Sequence, residues 1–397
     1  MGECAMVRFS EMASQVTTKV KPADTDLDRY VGLEHLDPES LHIRRWGVPG
    51  DVTGEKIVVR KGDVIFGKRR AYQRKVAIAD FDCICSAHAM VLQPKEDVII
   101  REIFPFFLQS DLFMNRAVQI SVGGLSPTIN WKDLAGQEFP LPPIEEQRRI
   151  AGVLRAAEDV IVKDEALVAE AEHYKQVMMR ELFSKGIGHE EFHSIRKLGV
   201  LPKIWTVKKL GEISTITSGG TPNRKVKTYW NGEIPWIKTG EVNYNVIMDT
   251  EEKITQEGLD NSSAKVVPPG TLLMALYGEG VTRGRVAITG IAAAINQACA
   301  VIFCEDIVLM KYLYYNISYR YNDIRDLSGG ANQKNLNISI IKDILIPLPP
   351  LPEQRQIAAI LSAIDDTIAA ARGSVEASKA LKMRLINQVL SPAGETA

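Results

Sequence analysis

An α+β chain of two similar halves, each a β-rich globular domain leading into a long helix, is the fold class that three observations predict. A proline-led segment occurs twice: "PLPPIEEQRRIAGVLRAAEDVI", from Pro140 to Ile161, returns as "PLPPLPEQRQIAAILSAIDDTI", from Pro347 to Ile368. Each copy opens an apolar stripe at heptad-like spacing. Before each copy lie short β-rich runs broken by Gly and Pro turns. At 397 residues the chain is too long for one ordinary core, so two or three domains are expected.

The repeat extends well beyond that segment. "VVRKGDVIFGKRRAYQRKVAI" (Val58 to Ile78) returns as "VVPPGTLLMALYGEGVTRGRVAI" (Val266 to Ile288), slightly longer. "CSAHAMVL" (Cys85 to Leu92) matches "INQACAVI" (Ile295 to Ile302), and "SVGGLSPTIN" (Ser121 to Asn130) matches "LSGGANQKNLN" (Leu327 to Asn337). "VRFSEMAS" near the start echoes "KKLGEIST" from Lys208. Blocks in one order over nearly the whole chain imply a duplication with a period of about 200 residues, too long for a solenoid. The halves form a pseudo-two-fold repeat.

Each element has a local reason. Pro143 and Pro352 suit helix entry, and acidic residues follow in the first turn. The first helix shows Ile150, Val153, Leu154, Ala157, Val160, Ile161, Leu167, Val168, Ala171 and Met178 as one stripe. The second shows Ile357, Ile360, Leu361, Ile364, Ile368, Val375, Leu381, Leu385 and Val389. Each therefore wants a helical partner, for which the other helix is the nearest candidate. At roughly 38 residues and about 1.5 Å per residue, each would run about 55–60 Å. Gly186 and Gly188 stop the first. "KIVV", "DVIF" and "KVAIA", with "AKVV", "TLLMALY" and "RVAIT", read as strands; "EIFPFFLQSDLFMNRAV" and "MKYLYYNISYRYNDI" read as short helices.

Hydrophobic content of 45% and charged content of 24% describe a folded soluble chain. The longest apolar runs fall short of a membrane span. No charged stretch followed by an apolar one opens the chain, and Met6 stands where a myristoylation signal wants Ser or Thr. A cytoplasmic location, with no membrane partner, is the expectation. Five cysteines form no CxxC pair and no zinc spacing, so they are expected to be packed or inert, with no metal site. A net charge of −1 does not announce a nucleic-acid binder, although segregated charges can hide one.

"GDVIFGKRR" has Gly62, Gly67 and Lys68 at phosphate-loop spacing, but Arg69 stands where a hydroxyl must meet Mg²⁺. The intervening "DVIF" reads as a strand, and the second copy lacks the Gly-Lys pair, so nucleotide binding by this loop is rejected. What both halves share is a strand entering a basic, Gly- or Tyr-containing segment. In the first it carries Lys68, Arg69, Arg70, Tyr72, Arg74 and Lys75; in the second, Tyr277, Arg283 and Arg285. Another cluster, "SGGTPNRKVKTYW", holds Arg224, Lys225, Lys227, Tyr229 and Trp230. Such residues contact phosphates, guanine edges and sugars; solvated surface charge is the plainer alternative, weakened by the recurrence. Catalytic patterns are thin. "DTEEK" (Asp249 to Lys253) crowds its carboxylates into what reads as a turn, and His88 falls opposite Ala298 in the repeat.

The two copies of PLPP-x-x-EQ, each opening a long helix behind a globular domain, resemble the specificity subunits of type I restriction-modification systems. "LPKIWTVKKLGEISTITSGGTPNRKVKTYWNGEIPWIKTGEV" (Leu201 to Val242) resembles the opening of a target recognition domain of that family. The likeness spans essentially the full length. It implies two target recognition domains, each reading one half of a split, asymmetric double-stranded DNA site. It implies that the two long helices pack antiparallel as a coiled-coil spacer and dock DNA methyltransferase subunits, which use S-adenosylmethionine. A restriction subunit using ATP and Mg²⁺ would join them. This chain would bind no cofactor and catalyse nothing.

The resemblance implies a first recognition domain over 1–142, a central helix over 143–186, a linker and second domain over 187–349, a C-terminal helix over 350–391 and a flexible tail over 392–397. The DNA-facing loops would fall at Lys68 to Lys75 and at "GGLSPTIN", with Ser126, Thr128 and Asn130. In the second half they would fall at Thr221 to Trp230, Tyr277 to Arg285 and "GGANQKNLN", with Asn332, Gln333 and Lys334. The helix interface would use Ile150, Leu154, Ile161 and Val168 against Ile357, Leu361, Ile364 and Ile368, and "EEQRR" and "PEQRQ" would be docking points. One departure is the start, which lacks the Leu-Pro-x-x-Trp lead-in found at Leu201 to Trp205. A stand-alone nucleic-acid enzyme and a coiled-coil scaffold are the competing readings.

Overall fold

The computed structural model describes residues 4–38, 40–278, 281–304, 306–328 and 335–390. They form two compact units, Met1–Leu167 with Ala371–Ala397, and Val168–Ala370. Both long helices, Ile144–Lys185 and Leu351–Leu390, run through that division. Each unit thus takes one globular domain and a part of each helix.

In the first unit two four-stranded sheets stack face to face. One orders Ala13–Gln15, Met90–Pro94, Val64–Phe66 and Val76–Ile78, all antiparallel. The other orders Lys19–Val20, Lys56–Val59, Cys83–Cys85 and Tyr30–Val31, the last pair parallel. The run "VIF" is unbroken apolar sequence because both of its faces are covered. Val64 and Phe66 point into a core with the helices Phe104–Gln109 and Asp111–Gln119, while Ile65 points into the core between the sheets. Side chains alternate across a strand, so a central strand of a covered sheet must be apolar at every position.

The second unit repeats the plan. Thr215–Ser218, Cys299–Phe303, Leu272–Ala275, Val286–Thr289 and Val246–Ile247 form one sheet; Glu252–Ile254, Trp230–Ile237, Ala293–Ile295 and Val266–Val267 form the other. The register is reproduced: Val64 pairs with Ile78 and Phe66 with Val76, as Leu272 pairs with Ile288 and Met274 with Val286. A strand beside each long helix is also repeated, Ala5–Arg8 on Glu138–Leu141 and Thr206–Lys209 on Leu345–Leu348.

Within each unit the helices run antiparallel. In the first, Glu158 meets Lys382 at 2.9 Å and Glu165 meets Lys379 at 3.0 Å. In the second, Lys175 meets Asp365 at 2.5 Å, and the glycine stop of the first helix lies against Glu353 at the start of the second. The predicted stripe needs correction. Ile161 and Ile368 are buried, and Val168 and Ile364 are half-buried. Ile150 and Leu154 share the core of the first unit with Ile386 and Leu390 of the second helix, and Ile357 and Leu361 share that of the second unit with Met179, Leu182 and Phe183 of the first, so these four positions meet the domain and the other helix together. Val153, Val160, Leu167 and Leu381 are exposed. Each helix packs on its own domain as well as on the other helix, so the buried arc is set by two neighbours rather than one seam.

Cys83, Cys85 and Cys299 are strand residues buried in these cores, and burial pushes the Cys83 and Cys299 thiols up to about 12. Among the described residues no helix is long and apolar enough to cross a membrane.

Candidate nucleic-acid interface

In the first unit the basic segment leaves the buried strand Val64–Phe66 and meets the Ser121–Asn130 loop, which lies more than fifty residues on. Ile129 N–H donates to the Lys68 carbonyl at 3.0 Å, and Arg70 N–H donates to the Pro127 carbonyl at 2.7 Å. Arg69 bridges Thr128 in β fashion, and the Arg70 guanidinium donates to Ser126 Oγ at 3.2 Å. Arg70 and Arg74 bracket the turn Ala71–Gln73 with φ of 58° and 55°. A non-glycine residue held left-handed costs about 1–2 kcal/mol, so the surrounding bonds over-determine this turn.

The turn sorts its cations. Arg70 and Tyr72 stand exposed, as does Asn130. Arg69 reaches His88 Nε2 at 3.2 Å. Arg74 turns inward, donating to the Gln109 carbonyl at 2.9 Å and to Asp111 Oδ1 at 2.6 Å. Lys75 donates to the Leu33 carbonyl at 2.6 Å. Lys68 is half-buried, and burial, with Lys19 nearby, holds its ammonium below the ordinary lysine range.

In the second unit the same bond recurs: Leu336 N–H donates to the Leu276 carbonyl at 3.1 Å, at the base of the segment that begins with Tyr277. Tyr277 is exposed, Arg283 half-buried, and Arg285 donates to Asn243 Oδ1 at 2.5 Å. Asn332, Gln333 and Lys334 lie outside the described residues. In the Thr221–Trp230 segment, Arg224 sits over Trp230 at 3.9 Å and Trp236 at 4.8 Å, and pairs with Glu252. Lys225 and Lys227 are exposed and Tyr229 half-buried, while the Thr221 hydroxyl is buried without a partner. The bases of both segments flank one turn: Gly220 N–H donates to the Ile295 carbonyl, and Leu276 N–H to that of Ala298. "DTEEK" is only in part the expected turn: Glu252 and Lys253 open the strand Glu252–Ile254, and Lys238 binds Glu251 and Glu252. These are groups that grip and stack; guanidiniums, ammoniums, phenols and indoles suit phosphates, base edges and base faces.

A family described as "Type I restriction modification DNA specificity domain" matches residues 50–169 and 202–376. The chain belongs to that family. A putative type I restriction enzyme MjaX specificity subunit of Methanocaldococcus jannaschii is 27% identical over 377 residues, covering 90% of this chain and 85% of that protein. The MjaIX specificity subunit of the same organism is 36% identical over 176 residues, 43% of this chain and 40% of that one. Among solved structures, one described as "Structural basis underlying complex assembly and conformational transition of the type I R-M system" gives a TM-score of 0.59 at 24% identity, covering 98% of this chain and 96% of that one. The S subunit from M. genitalium gives 0.57 at 13% identity, with the same coverage. Both share the fold.

As a member of this family the chain carries two specificity domains, and their candidate loops coincide with the repeated hydrogen bond. Sequence reasoning missed several neighbours. His88, set aside as one residue without a counterpart, stands beside Arg69, and Asn243, Tyr244, Tyr321 and Arg325 gather around Arg285. No local pattern marks them, since they come from three distant segments. The "EQ" pairs were expected to offer docking points, but they are largely used inside the chain. Gln147 bonds the Ile100 N–H and the carbonyls of Val98 and Pro142. Glu353 receives Ile187 N–H, Trp205 Nε1 and His189. Glu146, its counterpart, instead turns out to Arg149.

Proposed function

We propose that each unit reads one half of a bipartite, asymmetric sequence in double-stranded DNA, and that the chain lends this specificity to DNA methyltransferase subunits without catalysing a reaction itself. One observation carries the reading: in both units a carbonyl of the strand-borne segment, Lys68 or Leu276, accepts the same hydrogen bond from a distant loop. A duplicated bond at the base of segments that carry cations and aromatics is what two separate readings of a double helix require. The low net charge is compatible with this, because Lys68, Arg69, Arg70, Arg74 and Lys75, like Arg224, Lys225 and Lys227, are gathered in short segments.

The helices would set the spacing between half-sites and hold the partners. On the first, Val153, Val160 and Leu167 are 44%, 47% and 52% exposed at heptad spacing, an apolar strip that its own chain leaves uncovered. A methyltransferase subunit bringing S-adenosylmethionine fits there, and a restriction subunit bringing ATP and Mg²⁺ would join through it, in the cytoplasm.

Mapping methylated bases in the host chromosome with and without this chain tests the reading. Loss of methyladenine at one split motif is expected; an unchanged map in cells making both chain and methyltransferase would sink it. Exchanging the first domain should change one half-site only, and adding two turns to both helices should widen the gap between half-sites.

A further inference from the structure

Two guanidiniums of the second unit stand together with no carboxylate partner among the described residues. Arg285 donates to Asn243 Oδ1 at 2.5 Å and lies 5.7 Å from the Tyr244 ring. Arg325 donates to Tyr321 Oη at 2.7 Å. The two rings are edge to face at 6.0 Å, and the charges of both arginines bear on the Tyr244 hydroxyl. Two other arginines of the candidate interface are neutralised, Arg74 by Asp111 and Arg224 by Glu252. An uncompensated pair is costly unless an anion completes it.

The cluster is built rather than incidental. Tyr321 donates to the Val281 carbonyl at 2.5 Å, so Arg325 acts through Tyr321 on the Tyr277–Arg285 loop. Gly284 takes the φ of +88° that the loop needs beside the Tyr321 ring, a conformation that favours glycine. Tyr244 itself is held at φ 55°. Burial pushes its phenol up to about 12, with Tyr321 adding to the effect, so the hydroxyl keeps its proton and serves as a third donor. Two guanidiniums and a phenol gathered about one pair of rings suit an oxyanion.

We propose that Arg285, Arg325 and Tyr244 clamp one phosphodiester of the DNA held by this unit. The inference rests on the DNA reading proposed above. The clamp positions the duplex and reads no base, because its donors face a group common to every nucleotide.

The test uses the full chain, a duplex carrying its methylated motif and a scrambled duplex, with fluorescence anisotropy over a salt series. R325A should weaken both duplexes by the same factor, about tenfold, and lower the salt slope by about 1, with target preference unchanged. Arg325→Lys, keeping the charge, should keep the slope. In the wild type, an uncharged methylphosphonate at the clamped position should cost as much as R325A, and R325A should then lose nothing further. That arm needs no variant to fold. Lost preference for the target would overturn the clamp in favour of base reading. So would unchanged affinity and slope in folded R325A and R285A. If inorganic phosphate protects the wild type from heat through Arg325 while DNA binding ignores that residue, the site takes free phosphate and the proposal fails. A wild-type chain that binds neither duplex would instead sink the reading on which the clamp rests.

Discussion

Lys382, wholly buried on the second long helix, donates to Glu158 of the first at 2.9 Å, and His42 Nε2 lies 3.6 Å from the same carboxylate. The repeat supplies a counterpart with the helices exchanged, since Lys175 of the first meets Asp365 of the second at 2.5 Å. Removing one member of a buried pair strands the other charge, at a cost of about 3–5 kcal/mol. Lys382→Met should therefore cost about that much in urea unfolding of the first unit. The joint change Lys382→Met with Glu158→Leu should recover much of the loss. Lys175→Met should cost less, because its pair is partly exposed.

Arg70 and Arg74 lie four residues apart and should behave oppositely. Arg70→Ala removes an exposed cation and should lower DNA affinity about tenfold, in line with loss of one phosphate contact, with little change in melting temperature. Arg74→Ala removes the partner of Asp111, whose other oxygen holds Asn387 at the end of the second helix. It should cost about 1–3 kcal/mol of stability. Parallel binding and melting measurements separate the two.

Lys68 introduces a pH dependence. Its pKa is lowered from the ordinary 10.5 by burial, with Lys19 adding to it. In the window between the lowered value and 10.5 the unfolded chain binds the extra proton, so stability rises with pH while the folded loop loses a charge. DNA affinity should therefore fall across that alkaline window, and Lys68→Arg should flatten the fall. A titration of affinity against pH in both proteins checks this; parallel curves would assign the charge loss elsewhere.

Gly186 and Gly188 share a role but not a cost. Both adopt positive φ, 64° and 72°. A Cβ on Gly186 would fall 2.5 Å from Glu353 Oε1, whereas nothing lies within 4 Å of one on Gly188. Gly188→Ala should cost about 1 kcal/mol, the left-handed penalty alone. Gly186→Ala should cost at least twice that, because it also pushes Glu353 off Trp205 and His189. Denaturant melts of the second unit measure both.

Much of the fold was legible because local rules carry it. The duplication, the helix entries at Pro143 and Pro352, the glycine stops and the doubly covered strands follow from periodicity and turn chemistry. Which side of each helix is buried was not legible. Val153 and Leu154 are adjacent and equally apolar, and only the presence of a second neighbour turns Leu154 inward and leaves Val153 outside.

The amino-acid sequence by itself determined that this is a duplicated α+β chain with two heptad helices, and that its basic segments recur after equivalent strands. Those features depend on residues close in sequence. Tertiary structure alone decided which cations are available. Lys75 is bound by Leu33 and Arg74 by Asp111, while Arg285 and Arg325 are left to share a tyrosine pair. Charge availability is set by what a side chain meets across tens of residues, and no spacing rule carries that distance.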